Sequence, residues 1–200
     1  MEISKKNATQ ILEQLKTYYL ELKFPVSEVY EEKNSLLFVS QFNFKGRDLS
    51  LEIVVFYNQL PNSVIVSILN AKFPPEKSEV VSDLINRINL QLYLCRVGIV
   101  TNEGLSILET NIDLENGSVI KQIFHKKIIH LLWDSYFYGN LIDSLISSGR
   151  TPKSLWGEFL ANCQNRELEK VKKENPELII IEPIVNKIPQ KKQETIIYNF

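Results

Sequence analysis

Apolar positions along the chain switch between two periods, and the switches mark its elements. Residues 5–22 place Ala8, Ile11, Leu12, Leu15, Tyr18, Tyr19 and Leu22 at three- and four-residue spacings, which predicts an amphipathic helix. Pro25 stops it, because proline disfavours helix at the residue before it. The period then falls to two. "SLLFVSQFNF" (35–44) puts Leu36, Phe38, Phe42 and Phe44 on one face, and "LSLEIVVFY" (49–57) does the same with Leu49, Leu51, Ile53, Val55 and Tyr57. "SVIVSIL" (63–69) is rich in β-branched residues. The links "KGRD" and "NQLPN" are short, so these strands are expected to form an antiparallel meander.

A second helix is expected over 75–91, opened by Pro75, with Val80, Leu84, Ile85 and Ile88 as its buried stripe. "LYLCRVGIV" (92–100) and "LSILETNIDL" (105–114) read as a hairpin whose turn "TNEG" offers Gly104 for a positive φ. A long apolar helix pattern fills 118–148, expected to bend at Gly139-Asn140 and to end at Gly149. Its apolar stripe is wider than one face, because Ile129, Trp133 and Tyr138 join it. Thr151-Pro152 starts a polar helix to about residue 174, and "ELIIIEPIV" and "TIIYNF" look extended. The fold class is therefore α+β: an antiparallel sheet in α-β-β-β-α-β-β-α order, helices mainly on one face, plus a C-terminal helix and extended arm. Residues 1–149 form the domain and residues 150–200 the appendage.

Composition is that of an ordinary globular chain, 44% hydrophobic and 24% charged. A net charge of −1 supplies no field that would draw it to nucleic acid or an anionic membrane. The first residues lack the apolar core of a secretory signal, and no apolar run reaches the length of a membrane span, so a cytoplasmic location is expected. Cys95 and Cys163 are expected as buried thiols in a reducing compartment.

Reactive constellations are missing. His125 and His130 are five residues apart, about 140° around a helix, so they do not converge on a metal. His130 and Asp134 have the spacing of a weak helical pair. Cys95 lies beside Arg96, but neighbouring strand residues point to opposite faces. No glycine pattern cradles a phosphate, and Glu31-Glu32 reads as a solvated loop. No catalytic residue, cofactor or metal ligand is expected.

The stretch "LINRINLQLYLCRVGIVTNEGLSILETNIDLENG" and the long helix after it resemble the YbjN-like domains. The residues carrying the resemblance are Asn86, Asn89, Arg96, Gly104, Leu114 and Gly117, within a region of roughly 5–148. The resemblance implies the fold of type III secretion chaperones and a non-catalytic protein that works through its surfaces.

Helices that cover one face of a sheet leave the other, and here that other face carries Leu37, Val39, Val54, Phe56, Ile65 and Leu69. With Trp133, Tyr136 and Phe137 these form the expected partner-binding set. The occupant is a protein client or a second copy in a homodimer, with the appendage as rival cover. The alternative function is a small-ligand binder or enzyme with an unfamiliar site, its pocket lined by Trp133, Tyr136, Phe137 and Tyr138.

Overall fold

The structure is a computed structural model that describes residues 3–32, 34–57, 63–114 and 118–174, with side chains to residue 164. The link at 58–62, Gly117, and the extended arm with "ELIIIEPIV" and "TIIYNF" lie outside the described residues. The chain divides into two compact units, 1–155 and 156–200.

In the first unit, α1 (Lys5–Glu21) is opened by Ser4, whose Oγ accepts from the Asn7 backbone N–H at 3.3 Å. It buries Ala8, Ile11, Leu12, Leu15 and Tyr19. Lys23, just beyond it, turns the chain at a φ of 65°. The strands are β1 (Glu28–Glu32), β2 (Ser35–Phe44), β3 (Arg47–Phe56), β4 (Ser63–Lys72), β5 (Arg96–Val100) and β6 (Leu105–Asp113). They form one antiparallel sheet in the order β1-β2-β3-β4-β6-β5. The helix α2 (Ser78–Asn89) joins β4 to β5, and α3 (Lys121–Ser148) follows β6.

Alternation in the sheet separates two faces. One carries Phe38, Leu51, Ile53, Val55, Val64, Val66, Ile68, Leu108 and Ile112, all without solvent exposure. The helices cover this face: Tyr19 of α1 meets Phe38 at 5.5 Å between ring centroids. Each such side chain contributes roughly 1.5–3 kcal/mol by leaving water, so this layer is the core.

Local differences from the expected elements have physical causes. Glu31 and Glu32, expected in a solvated loop, belong to β1; all five residues of this strand are exposed, so it has no apolar alternation to read. α2 proper begins at Ser78 after a 3-10 turn at Pro75–Lys77, which rotates Val81 inward and leaves Val80 exposed. β5 starts at Arg96 rather than residue 92, and Tyr93 is 94% exposed. α3 is unbroken through Gly139 and ends, as expected, at Gly149 with a φ of 64°.

Two residues fix the β5–β6 hairpin. Gly104 has a φ of +61°, and a Cβ there would lie 1.9 Å from the Phe73 carbonyl oxygen. Asn89 closes the outer edge of β5: its Oδ1 accepts from Val97 N–H and its Nδ2 donates to Val97 O, both at 2.8 Å.

The helix α4 (Pro152–Glu174) runs into the second unit. Within that unit Trp156 stacks on Phe159 with ring centroids 5.3 Å apart.

Candidate partner-binding surface

Cross-strand partners in an antiparallel sheet share a face, so the register arranges the second face in rows. One row is Tyr30, Leu37, Val54, Ile65 and Asn111, from β1 to β6. The next is Glu28, Val39, Glu52, Ser67, Glu109 and Arg96. A third holds Gln41, Ser50, Leu69, Ile107 and Gly98. The register therefore brings Leu37, Val39, Val54, Ile65 and Leu69 onto one face, with Phe56 beside Ser35. Val39, Val54, Phe56, Ile65 and Leu69 are half-buried. Leu37, expected as exposed, is only 4% exposed; its cross-strand neighbours in the row are the large side chains of Tyr30 and Val54.

The glutamates in the second row were not singled out from the sequence. Burial pushes the Glu52 carboxyl above the usual carboxylate range, and the like charge of Glu32 adds to it. Among the described residues, no ion pair involves Glu28, Glu32, Glu52 or Glu109.

The other expected residues lie on the opposite side of the molecule. Trp133 and Phe137 of α3 stack at 5.7 Å, and Phe44 of β2 meets Trp133 edge-on at 5.6 Å. Tyr136 joins them edge-on to Phe44 at 6.5 Å. Trp133 is 38% and Phe137 37% exposed, and Ile129, one turn earlier, is 45% exposed. The β2–β3 turn supports this cluster. Lys45 and Gly46 both have positive φ, 54° and 86°, as a two-residue hairpin turn of the primed kind requires. The turn sets the Lys45 ammonium 4.8 Å from the Trp133 ring centroid. The sheet rows and the aromatic cluster are therefore two separate surfaces, not one.

Beside the cluster, Arg47 enters the fold. Its Nη1 donates to Asn140 Oδ1 at 2.7 Å and to Asp143 Oδ2 at 2.5 Å, and its Nη2 donates to Asn70 O at 2.8 Å. Asn70 sits where the β4–β6 register shifts, so a β-bulge turns its carbonyl toward α3. Gly139 does not bend α3; it makes room, since a Cβ there would lie 2.6 Å from Arg47 Nη2.

The titratable groups singled out from the sequence are placed for structure. Cys95 Sγ donates to Asp134 Oδ2 at 3.0 Å. Burial and then the Asp134 charge push the Cys95 thiol up, the reverse of what activates a nucleophile. Burial also raises Asp134, against the Cys95 hydrogen bond and the charge of His130. Cys163, expected as buried, is exposed, as are its neighbours Ala161, Asn162 and Gln164 on the polar helix α4. His125 Nε2 lies 2.9 Å from Tyr18 O and joins α3 to α1. Among the described residues, no group of three His, Cys, Asp or Glu side chains could hold a metal. A cleft of about 440 Å³ opens between Tyr93–Arg96, Glu109–Asn111, Asp113 and Lys127. The aromatics Trp133, Tyr136, Phe137 and Tyr138 line no part of it.

The class defined by this arrangement is an α+β domain whose antiparallel sheet is sealed by helices on one face and apolar, acidic and half-open on the other. Residues 46–123, from β3 to the first turn of α3, match the model of the YbjN family, described as "Putative bacterial sensory transduction regulator". The matched stretch contains Asn86, Asn89, Arg96, Gly104 and Leu114. No curated protein sequence matches the chain. No helix among the described residues is long and apolar enough to cross a membrane.

Proposed function

We propose that the protein is a non-catalytic, cytoplasmic regulator or adaptor that docks a partner protein on the open face of its sheet, within a binding domain of residues 1–149. The observation that carries this reading is the difference between the two sheet faces. One is sealed by the protein's own helices over its central residues from Phe38 to Ile112, whereas the other keeps Val39, Val54, Phe56, Ile65 and Leu69 half-exposed beside charged residues. The description of the matched family as a sensory regulator supports the same reading. The raised thiol of Cys95 speaks against a nucleophilic role for it.

Val54→Thr/Ile65→Thr tests it, since threonine keeps the β-branched shape and removes apolar contact. Affinity capture from the native cell, with tagged full-length chain, should yield partners with wild type that the folded variant no longer holds. An unchanged partner set would overturn the reading.

The α3 aromatics favour a second reading alongside the first: a second copy of the chain packs on Ile129, Trp133 and Phe137. Their four-residue spacing and joint exposure support it.

A further inference from the structure

We propose that the partner segment taken by the open sheet face is a cationic amphipathic helix whose Lys or Arg side chains reach the glutamate row of Glu28, Glu52 and Glu109. The inference rests on the reading of that face as a docking surface and adds the chemistry of what docks there.

Charge comes first. Glu28, Glu32, Asp48, Glu52, Glu109 and Asp113 share this face with the bases Lys72, at a strand end, and Arg96, opposite Glu109 on the edge strand, and Lys127 of α3 reaches the cleft beside Glu109 and Asp113. The whole chain is nearly neutral, at −1, so the acid is concentrated here. Glu52 is half-buried, and Glu32 is close enough to disfavour its charge. A cation arriving at Glu52 would relieve both the repulsion and the lost hydration. An isologous second copy would set these acids against themselves, and nucleic acid or an anionic membrane would be repelled.

Spacing selects the conformation. Glu28, Glu52 and Glu109 lie on alternate strands of one row. With strands about 4.8 Å apart, successive glutamates are roughly 10 Å apart. Seven residues of α-helix rise about 10.5 Å and return to nearly the same side, so cations seven apart fall into register. An extended segment covers roughly 10 Å in three residues, and an odd step turns the side chain to the wrong face. The apolar row of Tyr30, Leu37, Val54 and Ile65 runs parallel to the glutamates, about 7 Å away by the two-residue repeat. That is within the width of one helix, whose leucines would lie on it.

The test is fluorescence anisotropy with the full-length chain and two labelled helical peptides of about 20 residues. Both carry the same leucine face; one has Lys at every seventh position and the other Glu. The Lys peptide should bind about tenfold tighter than the Glu peptide, and its binding should weaken as salt rises. Glu52→Gln/Glu109→Gln should remove about tenfold of that affinity. Glu79→Gln/Glu103→Gln, which removes the same charge from exposed positions off this face, should leave it unchanged. Val54→Thr/Ile65→Thr should weaken both peptides. If both peptides bind equally and only the threonine variant weakens them, the docking surface stands and the cationic inference falls. If both glutamine pairs weaken binding alike, attraction is not local to the row and the inference is overturned. If neither peptide binds, or no variant on the face matters, the inference and the docking reading fall together.

Discussion

Gly139→Ala should destabilise this protein, although the same change in an ordinary helix interior stabilises by about 1 kcal/mol. The added Cβ would meet Arg47 Nη2 at 2.6 Å, Arg47 Cζ at 2.7 Å and Asn70 O at 3.0 Å. Arg47 is the movable partner, but three hydrogen bonds hold its guanidinium and its side chain is 15% exposed. If the guanidinium withdraws, Asn140 and Asp143 can turn to water at little cost, while the buried Asn70 carbonyl loses a charged donor. Such a loss costs about 1–3 kcal/mol, and the crowding itself about 1–3 kcal/mol more. Against the helical gain of about 1 kcal/mol, the net is a loss of about 1–5 kcal/mol, or roughly 2–4 °C of melting temperature for each kcal/mol. Urea unfolding of the four members of a cycle, with Arg47→Ala as the second change, measures it. Without the guanidinium, Gly139→Ala should become neutral or stabilising by up to about 1 kcal/mol. An equal loss in both backgrounds would place the clash on the backbone, and a gain in the wild-type background would refute the account outright.

Glu52→Gln should raise the melting temperature at pH 7. The folded-state pKa of Glu52 is above its unfolded value, so its contribution is fully present below the unfolded value and lost as pH rises through the folded one. The advantage of the variant should therefore shrink toward pH ~4, and a gap that did not narrow would contradict the assignment. Cys95 should alkylate more slowly than an unperturbed thiol at pH 8, and Asp134→Asn should speed it, because part of the upward push comes from the Asp134 charge; equal rates in the two proteins would remove Asp134 as a cause. Trp133→Ala should abolish any concentration dependence of melting if a second copy packs on α3. Light scattering that finds wild type monomeric across micromolar concentrations would dismiss that copy.

Elements with one buried face were legible in the sequence, since burial writes a period into the chain. The stripe Ala8, Ile11, Leu12, Leu15 and Tyr19, the alternation Leu49–Val55, and Gly104 in its turn all stand where the pattern puts them. β1 has no buried face and so no period. The apolar half of the open face could be listed residue by residue, but the glutamate row could not. Glu28, Glu52 and Glu109 come from three distant strands, and the register of four pairings aligns them. The Arg47 node was equally hidden: its partners are 23, 93 and 96 residues away, and an arginine beside a turn glycine carries no motif.

The side chain of Asn89 has a further consequence for how this protein can associate. By meeting both polar groups of Val97 it behaves as a one-residue seventh strand, and the β5 margin offers no bare peptide group there to a visiting chain. At the opposite margin β1 is five residues long and reads Glu-Val-Tyr-Glu-Glu, so a copy arriving side by side meets like charge. Neither border invites the sheet to grow into a ribbon shared between molecules. Assembly is thereby steered away from backbone zippering, which accepts almost any sequence, and toward side-chain contacts, which can discriminate among partners.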